Sequence, residues 1–278
     1  MKSSKTLFIT GVSSGLGRAI ANASLSVGHQ VIGTVRNEAA RAEFEAPWGG
    51  RAHARLLDVS QFEAIGPLAA EIESSIGPVD AVINNAGYGH EGVLEESPLD
   101  ELRRQFDVNV FGAVAVIRAF LPFMRGRRRG HIVNITSMGG TITMPGIAYY
   151  CGSKFALEGI SGALAKELKA LGIAVTAVAP GSFRTDWAGR SMVRSSRAIA
   201  GYDAVFDPVR RARIEKSGKQ LGDPDKAGEA ILQLLEMPQP PEQLLLGSDA
   251  LALVRAQLET RLADIARHEA VTRSTDVA

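Results

Sequence analysis

The sequence of 278 residues predicts a single α/β domain built around a parallel sheet. Three observations carry this prediction. Short aliphatic runs alternate with longer stretches of helical apolar spacing. The first run leads directly into a glycine-rich turn, and no linker-like composition or internal repeat divides the chain.

The runs, in order, are "TLFIT" (6–10), "QVIGTV" (30–35), "ARLLDV" (54–59), "VDAVIN" (79–84), "GHIVNIT" (130–136), "GIAVTAVA" (172–179) and "EQLLLG" (242–247). They are rich in β-branched and aliphatic residues, and Gly, Pro, Asp or Asn bound them. Such runs read as strands buried on both faces, the mark of a parallel sheet. Helical spacing occupies 15–27, 60–76, 98–124 and 150–170. The alternation predicts right-handed crossovers that cover both sheet faces. Two segments interrupt it. Residues 185–222 are too long for a simple connection and read as a substrate lid, because ligands bind beyond the carboxyl ends of such strands. Residues 248–268 read as a C-terminal helix, followed by a polar tail expected to fray.

Composition excludes several classes. Hydrophobic content of 45% and charged content of 22% are those of a globular protein, and a net charge of +1 offers no field toward nucleic acid or anionic membrane. One cysteine, Cys151, excludes an intrachain disulfide framework and a cysteine metal cluster. No apolar run approaches the roughly 18 residues of a membrane span. The apolar stretch near the N-terminus is too short for a signal peptide, so a cytoplasmic location is expected. The basic cluster "RGRRRG" (125–130) lacks interleaved aromatics and reads as a solvated loop at the edge of the molecule rather than a nucleic-acid platform.

The first strand enters "TGVSSGLG" (10–17) and then a helix. Gly11, Gly15 and Gly17 let backbone approach a pyrophosphate, and Ser13, Ser14 and Leu16 complete the turn before a helix N-terminus that favours anions. No lysine follows the last glycine, which disfavours a nucleoside triphosphate loop. At the end of the second strand, "TVRN" (34–37) puts Val35 and Arg36 where an NAD site would place an acid for the ribose 2′-hydroxyl. Arg36 suits a 2′-phosphate, so the expected cofactor is NADP(H) before NAD(H). The alternative is a solvated arginine at a strand end.

Four further motifs follow in order: "NNAG" (84–87), Ser137 in "NITSMGG", "YCGSK" (150–154) and Pro180-Gly181. With the glycine turn they make the chain resemble the short-chain dehydrogenase/reductase family, from about residue 6 to residue 250. The resemblance implies a Rossmann-like domain whose seven parallel strands lie in the order 3-2-1-4-5-6-7. It implies nicotinamide-dependent interconversion of carbonyls and alcohols, with a small-molecule substrate. It also implies a homodimer or homotetramer formed through the helices at 98–124 and 150–170. The family's Asn, Ser, Tyr and Lys fall on Asn109, Ser137, Tyr150 and Lys154. Its cofactor contacts fall on Asp58 and Val59 at the adenine, on Asn85, Ala86 and Gly87 at the adenosine half, and on Pro180, Gly181 and Thr185 at the carboxamide. For Asn109 the resemblance implies a held water that relays protons to Lys154.

The chemistry of these residues agrees with that reading. Of four tyrosines, Tyr150 alone has a lysine one helical turn on, at Lys154. A phenol of pKa ~10 brought to about 7 needs roughly 4 kcal/mol of preference for the phenolate. Unit charges about 4 Å apart supply about 4 kcal/mol at an effective dielectric near 20. Ser137, after the fifth strand, can donate to a carbonyl oxygen as charge develops there, or can cap a strand end. Cys151 points about 100° away from Tyr150 on a helix and reads as a packing residue.

In the lid, Trp187, Met192, Tyr202 and Phe206 either line a pocket or pack the segment onto the domain. From Arg184 to Lys219, nine Lys/Arg stand against four Asp/Glu. This excess reads as solvated arginines or as steering of an anionic substrate. Other readings of the chain are a dehydratase or epimerase that keeps its cofactor fixed, a non-catalytic NADP(H)-binding sensor or scaffold, and an NAD-dependent alcohol dehydrogenase.

Overall fold

The computed structural model describes residues 4–189 and 191–277. The strands are β1 (Thr6–Ile9), β2 (Gln30–Val35), β3 (Ala52–Leu56), β4 (Ala81–Asn84), β5 (Gly89–Glu91), β6 (Gly130–Ile135), β7 (Ile173–Pro180), β8 (Met192–Arg194) and β9 (Gln243–Leu246). The helices are α1 (Gly15–Ser26), α2 (Glu38–Glu45), α3 (Phe62–Ser75), α4 (Leu99–Phe106), α5 (Gly112–Arg127), α6 (Ala148–Leu168), α7 (Asp203–Glu215), α8 (Pro224–Glu236), α9 (Ser248–Arg267) and α10 (Glu269–Arg273).

Seven strands form one parallel sheet in the order β3-β2-β1-β4-β6-β7-β9. Counted along the whole chain this is 3-2-1-4-6-7-9 rather than the expected 3-2-1-4-5-6-7. The difference is one of numbering. Two short strands, β5 and β8, pair with each other outside the main sheet, and the seven sheet strands keep the expected sequence. Side chains alternate across the sheet with period two, as strand geometry requires. Leu7 and Ile9 enter an apolar cluster with Ile20, Leu25 and Ile231, while Phe8 enters the opposite one with Ile72, Val116 and Phe120. Helices α1 and α8 therefore cover one face, and α3, α5 and α6 the other.

Several boundaries differ from expectation. Strand β3 ends at Leu56, which leaves Asp58 and Val59 in the loop beyond it. The helix expected over 98–124 is three pieces, α4, a π-helical turn (Asp107–Phe111) and α5. The tail expected to fray carries α10. Together, Leu99–Arg127 make a stretch of 29 residues apolar enough for a membrane span by length and composition, which counting unbroken apolar runs misses. Its Val116, Ile117, Phe120 and Met124 are buried against the sheet, as in a core helix.

The "RGRRRG" cluster is largely exposed, as expected, but it does not lead into a strand at the edge of the sheet. It closes α5 and turns into β6, which lies between β4 and β7. Arg127 pairs with Glu73 of α3 at 2.9 Å and donates to Val79 O, and Arg129 pairs with Asp80 at 3.1 Å. Arg128 takes a left-handed backbone (φ 51°) and its guanidinium reaches Ala170 O.

Candidate active site

The glycine turn between β1 and α1 is held from two sides. Thr34 Oγ1 accepts from Gly11 N at 2.9 Å. Thr10 Oγ1 accepts from Asn85 N and Ala86 N, and Asn85 Nδ2 donates to Thr10 O and Gly11 O. Asn85 thereby spends its amide on the turn itself. Gly11 and Gly15 have φ of 74° and 59°, which favours glycine. A Cβ on Gly17 would stand 2.2 Å from Gly11 O and 2.3 Å from Asn85 Nδ2, so no side chain fits. Ser14 is the N-cap of α1, yet its side chain makes no capping bond and the first turn holds no acid. The first N–H groups of α1 and its positive dipole end are left open to an anion. Ser13 is exposed beside them, and Leu16 packs partly into the core. Thr185 closes the far side, its Cβ 3.7 Å from where a Gly15 Cβ would lie. A cavity of about 560 Å³ opens there between α1 and the Arg184–Asp186 segment.

At the end of β2, Val35 is buried and Arg36 exposed. Asp58 faces Arg36 from the loop after β3. Burial works to raise the Asp58 carboxyl, but hydrogen bonds from Ser60 and the charge of Arg36 outweigh it and hold it below the usual range. Val59 packs into the core, with its carbonyl oxygen 2.9 Å and its Cβ 3.0 Å from where a Gly112 Cβ would lie.

Residues from four elements converge on Tyr150. Ser137 caps the 3₁₀ turn Met138–Gly140, and its Oγ accepts from Gly139 N at 3.0 Å. The Ser137 hydroxyl also engages the Tyr150 phenol. Tyr150 lies in the first turn of α6, buried, with the Trp187 ring 5.1 Å from its own. Gly89 makes room for that indole, because a Cβ there would lie 2.8 Å from Trp187 Cζ2. Lys154 Nζ donates to Ile135 O at 2.8 Å and sits 5.8 Å from the Tyr150 ring centroid. Gly87 borders both Asn109 and Lys154: its missing Cβ would be 3.0 Å from Asn109 Oδ1 and 3.7 Å from Lys154 Nζ.

Burial sets the charge states of the Tyr150–Lys154 pair in the free protein. Burial pushes the Tyr150 phenol up to about 12, despite the opposing pull of its hydrogen bond with Ser137. Burial likewise lowers the Lys154 ammonium to about 8, with Glu158 acting the other way. Desolvation disfavours both charged forms in the free protein.

Asn109 sits in the π-helical turn, a distortion frequent at functional sites. Its Nδ2 donates to Tyr88 O and Ser153 Oγ, and its Oδ1 accepts from Tyr88 N. Ser153 Oγ in turn donates to Tyr150 O at 2.8 Å. The side-chain amide is thus committed to protein groups and links the loop after β4 to the start of α6. Tyr149, adjacent in sequence, points elsewhere, donating to Ser97 O and stacking on His90. Pro180 ends β7, and Gly181 N donates to Leu246 O. A Cβ on Gly181 would fall 2.1 Å from Asp249 Oδ1, so this glycine is required by the approach of α9.

The lid arginines are mostly paired. Arg194, Arg210 and Arg213 all reach Glu91, which is 1% exposed, at 3.1, 3.4 and 2.7 Å. Arg197 binds Glu96, Asp203 and Asp207. Arg190, another of the expected basic residues, lies outside the described residues. Phe206 is buried against Gly146, and Met192 against Gly89, so both pack the segment onto the domain. Tyr202 hydrogen-bonds Glu95 at the surface. Trp187 alone of the four expected lid aromatics and Met touches Tyr150 through its ring. Thr10, Thr34 and Glu91 escaped sequence reasoning, since their partners lie far along the chain.

A family model described as short chain dehydrogenase matches residues 5–194. A 3-ketodihydrosphingosine reductase of Bacteroides thetaiotaomicron is 35% identical over 87% of this chain and 87% of its own length. An NADPH-dependent 3-dehydrocapnine reductase of Ornithobacterium rhinotracheale is 31% identical over 76% of this chain and 77% of its own. A short-chain dehydrogenase from Streptomyces avermitilis has a solved structure that superposes with a TM-score of 0.93 at 39% identity, covering 99% of this chain and 100% of that one. The glycine turn, the buried Tyr150–Lys154 face of α6 and these likenesses agree: the chain belongs to the short-chain dehydrogenase/reductase family of oxidoreductases.

Proposed function

We propose that the protein is an NADP(H)-dependent oxidoreductase that interconverts a carbonyl and an alcohol by hydride transfer, with Tyr150 as acid and base. The observation that carries this is the convergence of Ser137, Tyr150 and Lys154 at the carboxyl end of the sheet, beside a helix N-terminus with no acid or cap in its way. The dinucleotide fits the residues present: Gly11, Ser13, Ser14, Gly15, Leu16 and Gly17 leave a cradle for a pyrophosphate that a Cβ on Gly17 would fill. Asp58, Val59, Ala86 and Gly87 flank the adenosine end, Asn85 holds the cradle, and Pro180, Gly181 and Thr185 stand toward the nicotinamide end. When bound, the nicotinamide supplies the hydride and, in its oxidised form, a positive charge.

Within this reading Tyr150 gives its proton to the oxygen of the substrate as the carbonyl becomes an alkoxide, and takes it back in oxidation. Ser137 donates its hydroxyl proton to the same oxygen. Lys154 holds positive charge beneath the phenol, and Asn109 fixes the start of α6 through Ser153. Arg36 binds the 2′-phosphate, and the NADPH-dependent relative supports that preference. The names of both reductase relatives support a ketone as substrate. Trp187, Met144 and Cys151 cluster with Tyr150 and support an apolar substrate body. The segment 185–222 closes over it as a lid within one domain, 1–278. Self-association through α5 and α6, whose neighbour Phe111 is 53% exposed, and a cytoplasmic location belong to the same proposal.

Titration of wild type and Arg36→Ala with NADPH and NADH, followed by nicotinamide fluorescence, tests the cofactor. NADPH should bind more tightly, and the preference should vanish in the variant. Equal or NADH-favoured binding by wild type contradicts the assignment to Arg36 and favours an NAD-dependent alcohol dehydrogenase.

A further inference from the structure

We propose that Glu158 is a positioning residue for the Tyr150–Lys154 pair, pinning the strand end that carries their partners and presenting a negative charge to Lys154. The inference rests on the reading of Tyr150 and Lys154 as the catalytic pair.

Tyr150, Lys154 and Glu158 follow one another at intervals of one helical turn and share a face of α6. Thr136 Oγ1 donates to Glu158 Oε1 at 2.5 Å, and Gln243 Nε2 of β9 donates to Oε2 at 3.0 Å. Thr136 is the residue just beyond β6. On one side of it Ile135 O accepts from Lys154 Nζ, and on the other Ser137 meets Tyr150. One carboxylate therefore ties together the short segment whose flanking residues hold both catalytic groups. The 3₁₀ turn after Ser137 is clamped onto the same point. A Cβ on Gly140 would stand 2.8 Å from Glu158 Cγ and 2.9 Å from Lys154 O.

The groups facing Lys154 make Glu158 its electrostatic partner. The end of β6 brings Ile135 O and the residue after it, Thr136; the loop after β4 brings Gly87, and the π-helical turn brings Asn109, all uncharged. Its own helix brings the neutral phenol of Tyr150 and the carboxylate of Glu158. Burial is the main influence on Lys154 and lowers it, while Glu158 raises it. Burial raises Glu158 in turn, opposed by Thr136, Gln243 and Lys154. Loss of the carboxylate charge leaves burial unopposed, so Lys154 loses its proton at lower pH.

The test compares wild type, Glu158→Gln, Glu158→Asp and Glu158→Ala. Nuclear magnetic resonance of ¹⁵N-labelled lysine side chains in the free protein, assigned with Lys154→Met, reads the Lys154 midpoint directly. Glu158→Gln keeps the shape and an acceptor for Thr136 but removes the charge, and should lower that midpoint by about one pH unit. The alkaline limb of kcat for NADPH-dependent ketone reduction should move down with it, and Glu158→Asp should restore both. Glu158→Ala should also speed amide exchange at Thr136 and Ser137 by about tenfold or more. A Glu158→Gln lysine titration and pH profile superimposable on wild type overturn the proposal. Tyr150→Phe separates the two ideas: full activity in that variant overturns the catalytic reading, whereas the lysine titration of the free protein stands apart from it.

Discussion

Binding of the oxidised cofactor should move the ionisation of Tyr150 by several pH units, and the structure sets the scale. In the free protein burial holds the phenol at about 12. Working as a base near neutrality requires a drop of about five units, or about 7 kcal/mol. An ammonium 5.8 Å from the ring centroid contributes about 3 kcal/mol at an effective dielectric near 20. Even that contribution is absent when the free phenol ionises, since Lys154 titrates at about 8. A second positive charge, on the oxidised nicotinamide, is needed for the remaining ~4 kcal/mol. The assay is ultraviolet difference absorbance of tyrosinate against pH, wild type minus Tyr150→Phe. The free protein should show no Tyr150 step below about pH 10. Saturating NADP+ should bring the step toward neutrality, and NADPH, with an uncharged nicotinamide, should leave it high. A neutral-range step in the free protein, or identical curves with NADP+ and NADPH, would refute this reasoning.

Two other consequences concern stability and the lid. His131 is buried in β6 with Nε2 3.0 Å from Thr176 Oγ1, and burial, aided by Lys5, lowers its pKa to about 4. The fold therefore favours the neutral ring: stability is complete above the unfolded pKa of ~6.5 and falls by about 3 kcal/mol as pH drops toward 4. Urea unfolding of His131→Gln should show a flatter pH dependence over that window, and an unchanged slope contradicts the assignment. Glu91→Gln removes the buried negative charge that three lid arginines share, a change worth about 3 kcal/mol. Proteolysis within 195–219 should accelerate strongly, and cleavage at the wild-type rate would show that Glu91 does not hold the lid.

What was legible in the sequence was local. The aliphatic run at Thr6–Thr10, the glycine turn and the Tyr150–Lys154 interval are patterns within a few residues, and each stands where the pattern puts it. What escaped depends on partners distant in sequence. Thr34 and Asn85 hold the phosphate turn across 23 and 74 residues. The lid arginines read as solvated because Glu91 lies more than 100 residues away from Arg194. Helix spacing puts Lys154 on the face of Tyr150, but the anchoring of its ammonium on Ile135 O, 19 residues away, is not legible in the sequence. The π-helical turn at Asn109 is invisible to periodicity, because Phe106, Val110 and Ala113 keep helical apolar spacing across it.

The most direct test of the central claim is ketone-dependent oxidation of NADPH under single-turnover conditions, in wild type and in Tyr150→Phe, with NADPH binding measured for both. The account predicts equal binding and a loss of about 10²-fold or more in the hydride-transfer rate of the variant. Equal rates in the two proteins would contradict the role of Tyr150 as acid and base.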